Sequence, residues 1–151
     1  MGNFPLEDKR IIITNPQSSK KLNRLLTSRK AEVLNFPMIE ISPGELSLQD
    51  HETLGNLQKF SFIFFTSKNG VRYFFEYLKS NPSLKLNPQV KFYTIGEPTA
   101  KSLEKYGHKT HYINPGNTAK ELVPHLENRN ELNGQNVLLV LCKKARNIQI
   151  E

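Results

Sequence analysis

Residues 60–75 read FSFIFFTSKNGVRYFF. Phe62 to Phe65 form a continuous apolar run, as expected of a strand covered on both faces of a sheet. Thr66, Ser67, Lys68, Asn69 and Gly70 then interrupt it. Beyond them Val71, Phe74, Phe75 and Leu78 recur at i, i+3, i+4 and i+7, which is one stripe of a helix. The hydrophobic period changes within the polar break, so the stretch predicts strand, short loop, helix.

The same order recurs on either side. Upstream, RIIITNPQSSKKLNRLL places the β-branched run Ile11–Ile13 before Thr14-Asn15-Pro16. A helical stripe of Leu22, Leu25 and Leu26 follows. AEVLNFPMIEISP reads as a second strand broken at Pro37. Residues 44–59 predict a helix with Leu54 and Leu57 on one face, weakened by Gly55. Downstream, VKFYTIGEPTAKSLEKYG predicts a strand to about Ile95 and a turn at Gly96. Pro98 suits the first helical position, Leu103 and Tyr106 face inward, and Gly107 stops the helix. HYINPGNTAKELVPHL is a shorter copy with capping-box spacing at Thr118 and Glu121 and an internal Pro124. NVLLVL, residues 136–141, predicts a further buried strand. Strand, loop and helix in repetition predict an α/β fold, a parallel sheet with flanking helices on both faces.

In such a sheet ligands bind beyond the carboxyl ends of the strands. Thr66–Gly70, Gly96–Thr99 and Asn114–Asn117 all fall there, and Thr14-Asn15 falls there in the first unit. Hydroxyls and backbone N–H groups at the positive end of a helix suit a carboxylate or phosphate. For one such loop alone, plain helix capping by Ser67 or Asn69 is the better reading; several on one rim raise the case for a ligand cleft.

The remaining residues exclude more than they assign. The net charge is +7, from 21 Lys and Arg against 14 Asp and Glu, dispersed along the chain. That balance suits an anionic small molecule, a nucleic acid, or simply a solvated surface. Lys68, Arg72, Tyr73 and Lys79 mix cations with an aromatic ring, but no nucleic-acid-binding signature accompanies them, and a solvated helix face is the better reading. A single cysteine, Cys142, rules out an internal disulfide and a cysteine-based zinc cluster. His51, His108, His111 and His125 lack metal-ligand spacing. No Walker loop or GxGxxG supports a nucleotide. No apolar run nears the roughly 18 residues of a membrane span, and a cytoplasmic protein is the default expectation.

Three blocks, FIFFTSKNGVRYF, YTIGEPTAKSLEKYGH and NPGNTAKELVPHL, follow IIITNP and FPMIEISP in an order that resembles the uroporphyrinogen-III synthase family. The resemblance runs from about Arg10 to Leu141. It implies two α/β lobes joined by a linker, with the active site in the cleft between them. The implied reaction closes the linear tetrapyrrole hydroxymethylbilane with inversion of ring D and loss of water, without cofactor or metal. By position in matching motifs, the resemblance assigns substrate contacts to Thr66, Ser67 and Asn69, to Gly96 and Thr99, and to Gly116 and Asn117. Thr14 and Pro16 would approach from the first lobe, and Pro37 and Ile39 would lie at the linker. No proton donor is assigned. Neither nucleic acid nor membrane is an implied partner.

The family pattern extends past Glu151. The expected division is therefore residues 1–37, one βαβ part of an incomplete first lobe with its linker, and residues 38–151, a second lobe lacking its last helix and strand. An incomplete lobe implies self-association. The alternative expectation is a truncated relative that binds an anionic ligand without turnover.

Overall fold

The computed structural model describes residues 5–14, 20–38, 40–114 and 130–141. The chain divides into two compact units, Met1–Pro43 and Gly44–Glu151.

In the first unit, β1 (Arg10–Ile13) pairs in parallel with β2 (Glu32–Asn35), with Ile12 opposite Leu34 and Ile13 opposite Asn35. Between them in sequence lies α1 (Lys20–Thr27). Of this unit only Ile13 and Ala31 are buried among the described residues. The predicted leucine stripe of α1 is not a core stripe: Leu22 and Leu25 are each 43% exposed. Leu34, Phe36 and Met38 are exposed as well. Two short strands and one short helix do not offer enough apolar area to cover these side chains.

The second unit holds the main core. A capping box opens α2 (Leu48–Gly55): Ser47 Oγ accepts the Asp50 N–H while Asp50 accepts the Ser47 N–H. The predicted 44–59 helix is thus shorter, and a 3-10 turn, Leu57–Lys59, takes over after Gly55. The quoted stretch forms β3 (Phe62–Phe65) and α3 (Lys68–Ser80) as expected. Next come β4 (Lys91–Ile95), α4 (Glu97–Glu104), β5 (Thr110–Asn114), a 3-10 turn at Asn130–Leu132, and β6 (Val137–Val140). Pro98 is the second helical residue of α4 rather than the first. The expected capping box at Thr118 and its helix lie outside the described residues.

The four strands form one parallel sheet in the order β5-β4-β3-β6. Phe62–Phe65 are all buried because β3 is central, flanked by β4 and β6. Alternation sends Ile63, Phe65 and Phe92 to one face, where they pack with Leu57, Val71, Phe74, Phe75 and Leu103. Both α3 and α4 contribute to that face. Phe62, Phe64, Tyr93 and Ile95 point to the other, against Tyr112, Leu132 and Leu139. The strand predicted as fully buried, β6, is an edge of the described sheet, so its residues are only half-buried and Val137 is exposed. No described helix is long and apolar enough to cross a membrane.

Two polar constellations brace this unit. The Tyr93 hydroxyl donates to Glu131 Oε1, Lys91 Nζ donates to Glu131 Oε2 at 3.3 Å, and His111 stacks on Tyr93. His108 lies 4.9 Å from the rings of both Phe75 and Phe92. Burial there pulls its pKa below the ordinary imidazole value of 6.5. The folded state therefore disfavours protonated His108, and below the unfolded value the unfolded chain binds more protons. Stability contributed by neutral His108 is complete above pH about 6.5 and declines as pH falls through the folded value. Urea denaturation across pH 7 to 5 should show the wild type losing stability more steeply than His108→Phe. Equal slopes would remove His108 from the acid response.

Candidate functional site

The parallel register brings the strand exits to one edge. Phe65 pairs with Thr94 and Val140, and Ile95 pairs with Asn114. Thr66 and Gly96, which follow β3 and β4, consequently share the carboxyl rim.

At the β3 exit, Ser67 is extended and caps α3, accepting the Gly70 N–H on Oγ at 3.1 Å. This is the capping expected of Ser67. It leaves the positive end of the α3 dipole at the rim. Thr66 Oγ1 donates to the Val140 carbonyl at 3.3 Å, tying the exit of β3 to the end of β6. The first turn of α3 packs against the same place: a Cβ on Gly70 would lie 3.5 Å from Val140 Cγ1, an ordinary contact. Thr66, Ser67 and Asn69 are half-buried and Lys68 is exposed. One turn on, the Arg72 guanidinium lies over the Tyr73 ring at 4.3 Å.

The β4 exit is built differently. Gly96 caps α4 with φ 70 and ψ 154 and no side-chain cap. That region is open essentially to glycine alone. The Gly96 N–H donates to the Asn114 carbonyl at 3.0 Å, linking this turn to the end of β5. The Gly96 carbonyl accepts from the N–H groups of Thr99 and Ala100. Thr99 is 4% exposed, on the inner side of α4. Ser102 Oγ, in the second turn of α4, donates to the Lys68 carbonyl at 3.3 Å and ties that helix to the start of α3.

Five of the residues named from sequence, Thr66, Ser67, Asn69, Gly96 and Thr99, thus gather at two adjacent strand exits. Thr14 and Pro37 are exposed residues of the first unit, where the Thr14 carbonyl accepts the Met38 N–H at 3.1 Å. Pro16, Ile39, Gly116 and Asn117 lie outside the described residues. The sequence places Asn114 in the polar exit of β5 without singling out its side chain, which ends that strand fully buried. Its only signal was an asparagine closing a strand before Pro115-Gly116. No cluster of three or more His, Cys, Asp or Glu able to hold a metal occurs among the described residues.

Residues 20–151 match the family model described as uroporphyrinogen-III synthase HemD. The porphyrin biosynthesis protein HemD of Ruminiclostridium josui is 33% identical over 105 residues, 68% of this chain and 21% of that protein. The uroporphyrinogen-III synthase of Chlorobaculum parvum is 31% identical over 102 residues, 66% of this chain and 39% of that protein. Two crystal structures of uroporphyrinogen III synthase from the extremely thermophilic bacterium Thermus thermophilus share the fold. A mutant form has TM-score 0.58 at 18% identity, covering 88% of this chain and 61% of that one. The native form has TM-score 0.50 at 19% identity, covering 87% and 60%. The chain therefore spans less than two thirds of each of these proteins.

Proposed function

The chain belongs to the uroporphyrinogen-III synthase family, and from that premise we propose that it closes hydroxymethylbilane to uroporphyrinogen III, with inversion of ring D and loss of water. The observation that carries this reading is the shared carboxyl rim. The helices α3 and α4 begin there, at the exits of the adjacent strands β3 and β4, on a family-matched chain of net charge +7.

The substrate is a flexible polyanion with acetate and propionate arms. Thr66, Ser67 and Asn69 contact its carboxylates at the β3 exit, and Gly96 and Thr99 shape the second contact region. The family motifs add Gly116 and Asn117 to the proposed contacts, and Thr14, Pro16, Pro37 and Ile39 as further proposed substrate contacts. Hydroxyl and N–H donors at a helix start bind carboxylates through charge-assisted hydrogen bonds. Net positive charge speeds the encounter.

The chemistry asks little more of the protein. The electron-rich pyrrole expels the hydroxyl, which leaves with a proton as water, and an azafulvene cation remains. Ring closure then depends on which ring D carbon meets that cation. Holding the chain so that the substituted carbon does so is a positioning task; its original bond to the bridge carbon then breaks, that bridge rejoins ring D at the free α-carbon, and the proton lost there restores the pyrrole. No strong acid–base pair is required of the rim.

Calorimetric titration with a stable linear bilane, carrying methyl in place of hydroxymethyl, tests the site. Thr66→Val preserves shape and removes the hydroxyl. The hydroxyl proton must turn from the Val140 carbonyl to the ligand, so the net worth is that of an ordinary hydrogen bond, and binding should weaken about five- to tenfold. Unchanged affinity would place the carboxylates elsewhere.

A further inference from the structure

Asn114 carries a polar group that the fold does not use. It ends β5, is 0% exposed, and lies beside Ile95 on the sheet face that holds Phe64 and Tyr93. Its backbone carbonyl holds the Gly96 N–H, so it stands directly behind the turn that opens α4. Among the described residues, neither Oδ1 nor Nδ2 of its amide has a hydrogen-bond partner. Asn23, Arg72, Thr94 and Thr110 each leave one side-chain atom so orphaned, whereas Asn114 leaves both donor and acceptor. A buried amide with neither bond made is costly, and leucine, bulkier but of the same branched outline, would carry no such polar penalty.

We propose that Asn114 is a binding residue for the linear tetrapyrrole, with Nδ2 donating to a substrate carboxylate and Oδ1 accepting from a pyrrole N–H. This rests on the function proposed above. The chemistry is matched on both sides. A carboxylated pyrrole chain presents acceptors and N–H donors together, and a side-chain amide is neutral and serves both. In so enclosed a place each hydrogen bond is stronger than at the surface.

Asn114→Leu in the full chain separates this role from a structural one. Its thermal midpoint should equal or exceed that of the wild type. Its dissociation constant for the methyl bilane should be about tenfold weaker or more, as for loss of a buried hydrogen-bonded contact. Unchanged affinity would overturn the proposal. So would a folded variant with a clearly lower midpoint, because the amide would then serve the fold. If the leucine variant does not fold, the wild type decides. The Asn114 side-chain amide signals in a nitrogen–proton correlation spectrum should shift on bilane addition, and static signals with bilane bound would overturn the role. A wild type that binds no bilane at all would defeat both the proposed function and this inference. Bilane-binding wild type with an unaffected Asn114→Leu would defeat the inference alone.

Discussion

Phe65→Ala is expected to lower the unfolding free energy of the second unit by about 3–5 kcal/mol. Phe65 is fully buried on the central strand. Its ring meets Phe74 edge-on at 5.3 Å and lies 6.1 Å from both Phe75 and Phe92. Truncation removes the transfer term, these ring contacts, and part of what supports Val71 and Leu103 in the same cluster. Domains commonly have only about 5–15 kcal/mol in total, so a large share would go. Thermal and urea unfolding would register it as a fall in Tm of more than about 10 °C. A loss below about 1 kcal/mol would mean that this residue is not at the centre of the core. Phe65 also immediately precedes Thr66, so the variant should disorder the rim at temperatures where the wild type is intact.

Gly96→Ala should cost about 1–3 kcal/mol for a different reason. Space is available: a Cβ there would meet only Pro98 Cδ, at an ordinary 3.6 Å. The cost lies in the backbone, which at φ 70 and ψ 154 occupies a region that residues with a side chain avoid. Relief requires the turn to move, and the turn holds the Asn114 carbonyl and the start of α4. Bilane affinity should therefore fall along with stability. Gly70→Ala is the matched control. Gly70 lies in the first turn of α3 without a positive φ, and its added Cβ would meet Ser67 Oγ and Val140 Cγ1 at 3.5 Å. Helix propensity favours alanine there by up to about 1 kcal/mol. Equal losses at the two glycines, read by urea denaturation, would contradict the backbone argument.

What sequence made legible follows from which forces are local. Phe62–Phe65 and Lys91–Ile95 were readable because a central parallel strand needs apolar residues on both faces. The α3 stripe and the Ser67 cap were readable because both lie within one turn of their partners. The burial of β6 was not. A run such as VLLV looks the same at the centre of a sheet and at the edge of one, and strand order is set by non-local pairing. The α1 stripe misled for a related reason: amphipathic spacing states what a helix could bury, not whether enough area exists to receive it. The start of α2 was underread, since Ser47 and Asp50 already form a capping box in sequence. Asn114 was hidden most deeply. A register shift between Phe92 and Tyr93 in the β4–β5 ladder sets which β5 residue meets Ile95, and nothing in the composition of THYIN announces it. The rim itself was legible in outline, because polar strand exits stand out against apolar strands. Which rim residues face inward, as Thr99 does, depended on packing.

The decisive measurement is the product isomer. Freshly generated hydroxymethylbilane would be incubated with the full chain, the products oxidised, and the type I and type III uroporphyrins resolved. The account predicts type III well above the spontaneous type I background, and a reduced type III fraction for Thr66→Val. Type I alone, under conditions where the bilane is bound, would contradict it and leave a family member that holds the tetrapyrrole without turning ring D.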